Sequence, residues 1–133
     1  MRFNINREQS EKEPHLTTAP KITPCLWFKT KALEAAEYYV GIFPNSSIGD
    51  VHRSAADTPG GKAGSVLIVT FTLAGQRYQA LNGGPQDTFS DAISLSVSCE
   101  DQAEVDHLWS ALTADGGKPV QCGWLKDKYG LSW

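Results

Sequence analysis

Apolar positions change their period along the chain, and each change marks an element. Residues 22–28 (ITPCLWF) form a short, mostly apolar run, the pattern of a buried strand. Pro24 inside it lacks an N–H for the ladder, which predicts an edge position or an interruption. Ala32, Ala35, Ala36, Tyr39, Val40 and Phe43 then recur at helical spacing, and Pro44-Asn45 stops the pattern. A helix over about 31–43 follows from this. Residues 47–55 read as a weak strand. Residues 65–73 (SVLIVTFTL) are rich in β-branched side chains and give the strongest strand in the chain. Ala74-Gly75 predicts a two-residue hairpin turn, with 76–81 as the returning strand. Asn82-Gly83-Gly84-Pro85 ends that strand with turn chemistry.

The second half repeats this grammar. Ile93, Leu95 and Val97 alternate with Ser94, Ser96 and Ser98, which predicts a half-buried strand over 92–98. Asp101 and Glu104 form a capping box. Val105, Leu108, Trp109 and Leu112 follow at i, i+3, i+4 and i+7, and Gly116-Gly117 closes the helix. Residues 119–133 leave room for two or three short strands. Residues 1–20 show no periodicity, and their charges balance. They read as a polar, flexible leader ahead of a single domain over 21–133.

A shift of 70 residues lays Glu34, Ala35, Tyr38, Tyr39 and Ile42 on Glu104, Val105, Leu108, Trp109 and Leu112. It also lays 22–28 on 92–98. The fold expected is α+β: two βαβββ modules, about 21–85 and 91–133, forming a curved mixed sheet around a cavity. The second half is shorter, so its module is expected to be shortened at the carboxy terminus.

Composition narrows the function. At 133 residues the chain is one domain by size. A net charge of −3 argues against a nucleic-acid partner. No apolar run approaches the ~20 residues of a membrane helix, so no membrane partner is expected. The first 20 residues lack the apolar stretch of a signal peptide, which predicts a cytoplasmic location. Cys25, Cys99 and Cys122 are odd in number and show no C-x-x-C spacing, so neither a disulfide framework nor a zinc site is indicated. Each is expected to be a small buried hydrophobe.

Five segments carry a resemblance: ITPCLWF at 22–28, EAAEYYVGIFPNS at 34–46, ALNGGP at 80–85, CEDQAEVDHLW at 99–109 and CGWLKDKYGLSW at 122–133. Together they resemble the PhnB-like proteins of the vicinal oxygen chelate superfamily, which includes glyoxalases, bleomycin-resistance proteins and ring-cleaving dioxygenases. The resemblance implies the glyoxalase/bleomycin-resistance-like arrangement of paired modules, and dimers built from them. Members of the family continue past the last Trp with a Gln-Ile-Val-type strand ending, where this sequence stops. The family carries the label of a demethylubiquinone methyltransferase. Methyl transfer calls for a glycine-rich turn between a strand and a helix, and Gly83-Gly84-Pro85 is expected to precede another strand.

The superfamily's enzymes hold a divalent metal with His and Glu from the first and last strands of each module. Carried onto this sequence, the first-strand His falls near Thr23 or Pro24 and the fourth-strand acid near Ala80 or Asn82. The fifth-strand His falls on Ala92. Asp127 and Gly130 match an Asp-x-x-Gly pattern whose acid would lie one position beyond Trp133. None of these positions supplies a ligand. His15 lies in the leader, His52 in the weak strand and His107 on the polar face of the second helix. No metal and no cofactor are therefore expected.

A cavity without a metal still binds. Candidate lining residues are Trp27, Tyr78, Asn82, Ser94, Ser96, Trp124 and Trp133, with aromatic walls for stacking and polar groups for hydrogen bonds. Trp27 and Trp124 serve equally well as core, Asn82 as a turn residue, and the two serines as a solvated sheet face. Catalytic residues are not evident. No His sits in a segment expected beside Cys25 or Cys122, and Asp87, Asp91 and Asp127 form no evident carboxylate pair. The sequence reading is a metal-free small-molecule-binding protein, a homodimer, with a small apolar or aromatic ligand. The alternatives are a metal-dependent isomerase- or lyase-type enzyme of the superfamily, or a truncated, non-catalytic dimeric member.

Overall fold

The computed structural model describes residues 3, 4 and 20–133. Most of the expected leader, including His15, lies outside the described residues. Two compact units make up the chain.

Pro20–Thr88 is the amino-terminal unit. It holds β2 (Cys25–Phe28), α1 (Ala32–Ile42), β3 (Ser47–Arg53), β4 (Val66–Leu73) and β5 (Gln76–Asn82). β1 (Phe3–Asn4) belongs with the other unit. The sheet order is β2-β5-β4-β3, with β2 parallel to β5 and the other pairs antiparallel, so the sheet is mixed. β2 does lie at an edge. It begins only at Cys25, because Pro24 has no N–H; its carbonyl still accepts from Gln79 N at 2.9 Å. α1 covers one sheet face. Ala32, Ala35 and Ala36 are fully buried and let the helix approach the sheet closely. Tyr39 stacks on Phe71 (ring centroids 6.4 Å apart) and Phe71 on Tyr78 (5.5 Å). The hairpin between β4 and β5 forms as the sequence predicts. Ala74 and Gly75 both have positive φ, 49° and 87°, as a type I′ turn requires. β3 carries a register shift between Ile48 and Val51 and exposes most of its side chains.

The carboxy-terminal unit is Phe89–Trp133 joined by β1. It holds β6 (Val97–Ser98), α2 (Gln102–Thr113), β7 (Lys118–Pro119) and β8 (Leu125–Lys126). β1 pairs in parallel with β6, a strand that the aperiodic leader did not suggest. The capping box is half as predicted: Asp101 Oδ1 accepts from Glu104 N at 2.9 Å. Glu104 reaches back to Glu100 N at 2.8 Å rather than to the cap residue. The predicted strand over 92–98 shrinks to β6 and one bridge between Ser94 and Ser132. Its alternation does not bury Ile93, which is 69% exposed, so the apolar face there has little to pack on. Among the described residues, Cys99, Leu108, Leu112, Leu125, Leu131 and Trp133 are the unit's buried apolar side chains.

The cysteines divide. Cys99 is buried, whereas Cys25 and Cys122 are exposed, against expectation. Cys25 stands on β2 one residue before the buried Leu26, and strand alternation turns it to the opposite face. Cys122 sits in a tight helical turn over Gln121–Gly123 with φ of 61°.

Candidate functional site

The last nine residues fold back on themselves. Leu125 and Trp133 exchange both backbone hydrogen bonds (3.0 and 2.9 Å), and Asp127 N donates to Leu131 O at 2.9 Å. Gly130, at φ 88°, makes the turn and donates its N–H to Asp127 O. Leu125, Leu131 and Trp133 point into the core. Alternation therefore turns Lys126 and Ser132 to the other face, where they stand directly opposite each other.

That face borders a cleft of about 250 Å³, lined by Asp91, Val120, Trp124, Lys126 and Ser132. Trp124 is half-buried. Its indole N–H donates to Ser94 Oγ at 3.1 Å, which fixes the ring against the cleft. Lys126 Nζ lies 2.7 Å from Asp91 Oδ1. Asp91 is the outer partner, its side chain 76% exposed against 32% for Lys126.

The sequence-predicted residues are distributed as follows. Trp124 lines the cleft and Ser94 anchors it. Ser96 is exposed. Trp133 is buried, its indole N–H on Asp127 Oδ2 at 2.8 Å. Trp27, Tyr78 and Asn82 lie in the amino-terminal unit. Trp27 is half-buried, with its indole N–H on Gly84 O at 3.1 Å and its ring directly over Gly83, where a Cβ would stand 2.5 Å from Cε2. Tyr78 is half-buried in the stack with Phe71. Asn82 is buried and spends both ends of its amide. Oδ1 accepts from Ala32 N at 2.8 Å, and Nδ2 donates to Val66 O at 3.0 Å. It thereby caps α1, whose own Lys31 offers no side-chain cap.

Sequence reasoning missed Asp91, Val120, Lys126 and Ser132. The signal was available for two of them. Once Leu131 and Trp133 are assigned to the core, alternation puts Ser132 on the outer face, and the Asp127–Gly130 turn puts Lys126 opposite it.

The residues at the positions where the resemblance would put metal ligands do not fit a metal. Thr23, Pro24, Ala80, Asn82 and Ala92 offer no imidazole or carboxylate. The one matching acid, Asp127, is occupied: Oδ1 accepts from Tyr129 N and Leu131 N, and Oδ2 from Trp133. His52 and His107 are exposed on β3 and α2. Among the described residues, no three His, Cys, Asp or Glu side chains converge on one point.

Gly83 and Gly84 are equally committed. Their N–H groups donate to Phe28 O (2.8 Å) and Lys29 O (3.1 Å), and the next helix along the chain after them begins only at Gln102. Gly83 seats the Trp27 ring, and the Gly84 carbonyl accepts its indole N–H.

Residues 20–133 match the family described as 3-demethylubiquinone-9 3-methyltransferase. Among solved structures, the chain is similar to the PhnB protein from Bacillus cereus, with 37% identity and a TM-score of 0.74. That match covers 86% of this chain and 96% of the other. Protein PA1353 from Pseudomonas aeruginosa shares the fold, with a TM-score of 0.68 at 18% identity, covering 86% of this chain and 95% of that one. No curated protein matches.

Proposed function

The chain belongs to the PhnB-like family, described as 3-demethylubiquinone-9 3-methyltransferase, and on that premise we propose that it binds a small apolar or aromatic molecule without the help of a metal. The observation that carries this reading is the Trp124 indole, held by Ser94 Oγ at the wall of the 250 Å³ cleft. An indole fixed at its only donor offers stacking area with little conformational entropy left to lose on binding. The donor-poor metal positions and the occupied Asp127 carboxylate favour binding over metal-assisted isomerase or lyase chemistry. The committed amides of Gly83 and Gly84 speak against methyl transfer, since they leave no N–H groups to cradle a cofactor.

The reading extends to the rest of the protein. The family's place is in the vicinal oxygen chelate superfamily, and each unit corresponds to one of its modules. Trp27, Tyr78 and Asn82 shape and stiffen the amino-terminal half. The functional form is a cytoplasmic homodimer. β3 supports the dimer: it lies at a sheet edge, exposes nearly every side chain, and has no ladder partner on its outer side among the described residues. No helix among the described residues is long and apolar enough to cross a membrane.

Native mass spectrometry of the full chain, purified without added metal, tests this. A dimer carrying a small organic mass that Trp124→Ala loses is the expected result. One metal ion per chain, removed by chelation together with a measurable isomerase or lyase activity, overturns it.

A further inference from the structure

Ser132 is the unexplained group in the cleft. The residue is 4% exposed and its hydroxyl makes no hydrogen bond to a described residue, so that hydroxyl opens onto the cleft, where water or a ligand satisfies it. Directly across the ladder stands Lys126, on the same face, with an ammonium that has three donors. Its ion-pair partner among the described residues is Asp91, at 2.7 Å and largely in solvent. Exposed pairs of this kind are weak and exchange readily. The inner end of the cleft thus presents a hydroxyl and an ammonium side by side, and the only carboxylate among the described lining residues stands at the rim. Trp124 and Val120 supply the apolar wall.

We infer that the cleft selects a single-ring aromatic carboxylate. This rests on the binding reading above and specifies its ligand class. The ligand's carboxylate displaces Asp91 from Lys126 and accepts the Ser132 hydroxyl, while its ring lies against Trp124 and Val120. The size agrees, because 250 Å³ falls below the roughly 300–1,000 Å³ of sites for drug-sized ligands. Charge agrees as well: exchanging one carboxylate for another keeps Lys126 paired, and the newcomer also satisfies Ser132, which Asp91 does not.

Benzoate and its neutral isostere benzamide are the probes, titrated into the full chain while the Trp124 indole N–H resonance is followed by NMR. That resonance is identified by its loss in Trp124→Phe. Benzoate is expected to shift it saturably and benzamide to leave it in place. Lys126→Met is expected to weaken benzoate at least about tenfold, as loss of a charge-assisted bond does. Asp91→Asn removes the competing carboxylate and is expected to tighten benzoate by about threefold. Equal shifts with both probes, a shift with benzamide alone, or an unchanged benzoate affinity in Lys126→Met overturns the carboxylate class while the binding reading stands. If neither probe moves Trp124, the carboxylate class and the Trp124 cleft fall together, and only a co-purified organic mass keeps binding itself alive.

Discussion

The indole N–H of Trp133 donates to Asp127 Oδ2 at 2.8 Å, with both residues buried. The other carboxylate oxygen accepts from the backbone N–H groups of Tyr129 (2.9 Å) and Leu131 (3.1 Å). One side chain therefore closes the turn that sets Lys126 opposite Ser132. Asp127→Ala leaves the Leu131 N–H and the Trp133 indole buried without an acceptor, and should cost about 3 kcal/mol. Trp133→Phe should cost less, about 1–2 kcal/mol, since Oδ2 loses one donor while Oδ1 keeps both of its backbone N–H groups. In a double-mutant cycle by urea denaturation, the two should couple by about 1 kcal/mol or more. Additive losses would mean that the carboxylate and the indole act independently.

Gly83 is the seat of the Trp27 ring. A Cβ there meets Cε2 and Cζ2 at 2.5 Å, too close for any side chain. Gly83→Ala should therefore cost about 1–3 kcal/mol, as overpacking does. Combining it with Trp27→Leu should recover part of that loss, because the obstructing ring is gone. Thermal or denaturant unfolding of the three variants reads this directly. A double variant no better than the worse single one would show that the glycine serves its backbone rather than the ring.

The helices and the β4–β5 hairpin were legible because their signals are local. Helical spacing of Ala32, Ala35, Ala36 and Tyr39, the Asp101 cap, and Ala74-Gly75 all act within a few residues of one another. What escaped depends on distant partners. The serine-alternating stretch over 92–98 lacks a full ladder, and the pairing of β1 with β6 joins residues more than ninety positions apart. The cleft was half visible for the same reason. Trp124 and Ser94 stand out by residue type, whereas Lys126 and Ser132 matter only through a register that Asp127 imposes.

Asn82 links α1 to the sheet across fifty residues, accepting from Ala32 N and donating to Val66 O. Asn82→Leu removes both bonds, leaving the buried Ala32 N–H without its acceptor and the part-buried Val66 carbonyl without this donor, at about 2–4 kcal/mol. Asn82→Asp retains the acceptor for Ala32 but sets a carboxylate against the Val66 carbonyl. Hydrogen exchange should show the first turn of α1 opening more often in both variants. Unchanged protection at the helix start would rule out the capping role.

Cys99 gives the fold a dependence on alkaline pH. Burial pushes its thiol above the usual value of 9.0, and the carboxylates of Glu104 and Asp101 push it further in the same direction. The folded state therefore disfavours the thiolate. Stability from this group is present below pH 9.0 and is lost as pH rises through the higher folded value. Tyr78 acts with the same sign from 10.0 upward, because burial raises its phenol as well. Unfolding free energy should accordingly fall above about pH 9, and Cys99→Ala should flatten the first part of that fall. Iodoacetamide mapping at pH 8 provides a second check: the exposed Cys122 should be alkylated at least about ten times faster than Cys99, since the thiolate is the reactive form. Equal alkylation of the two in folded protein would mean that the Cys99 site opens freely to solvent, and the alkaline fall would then need another origin.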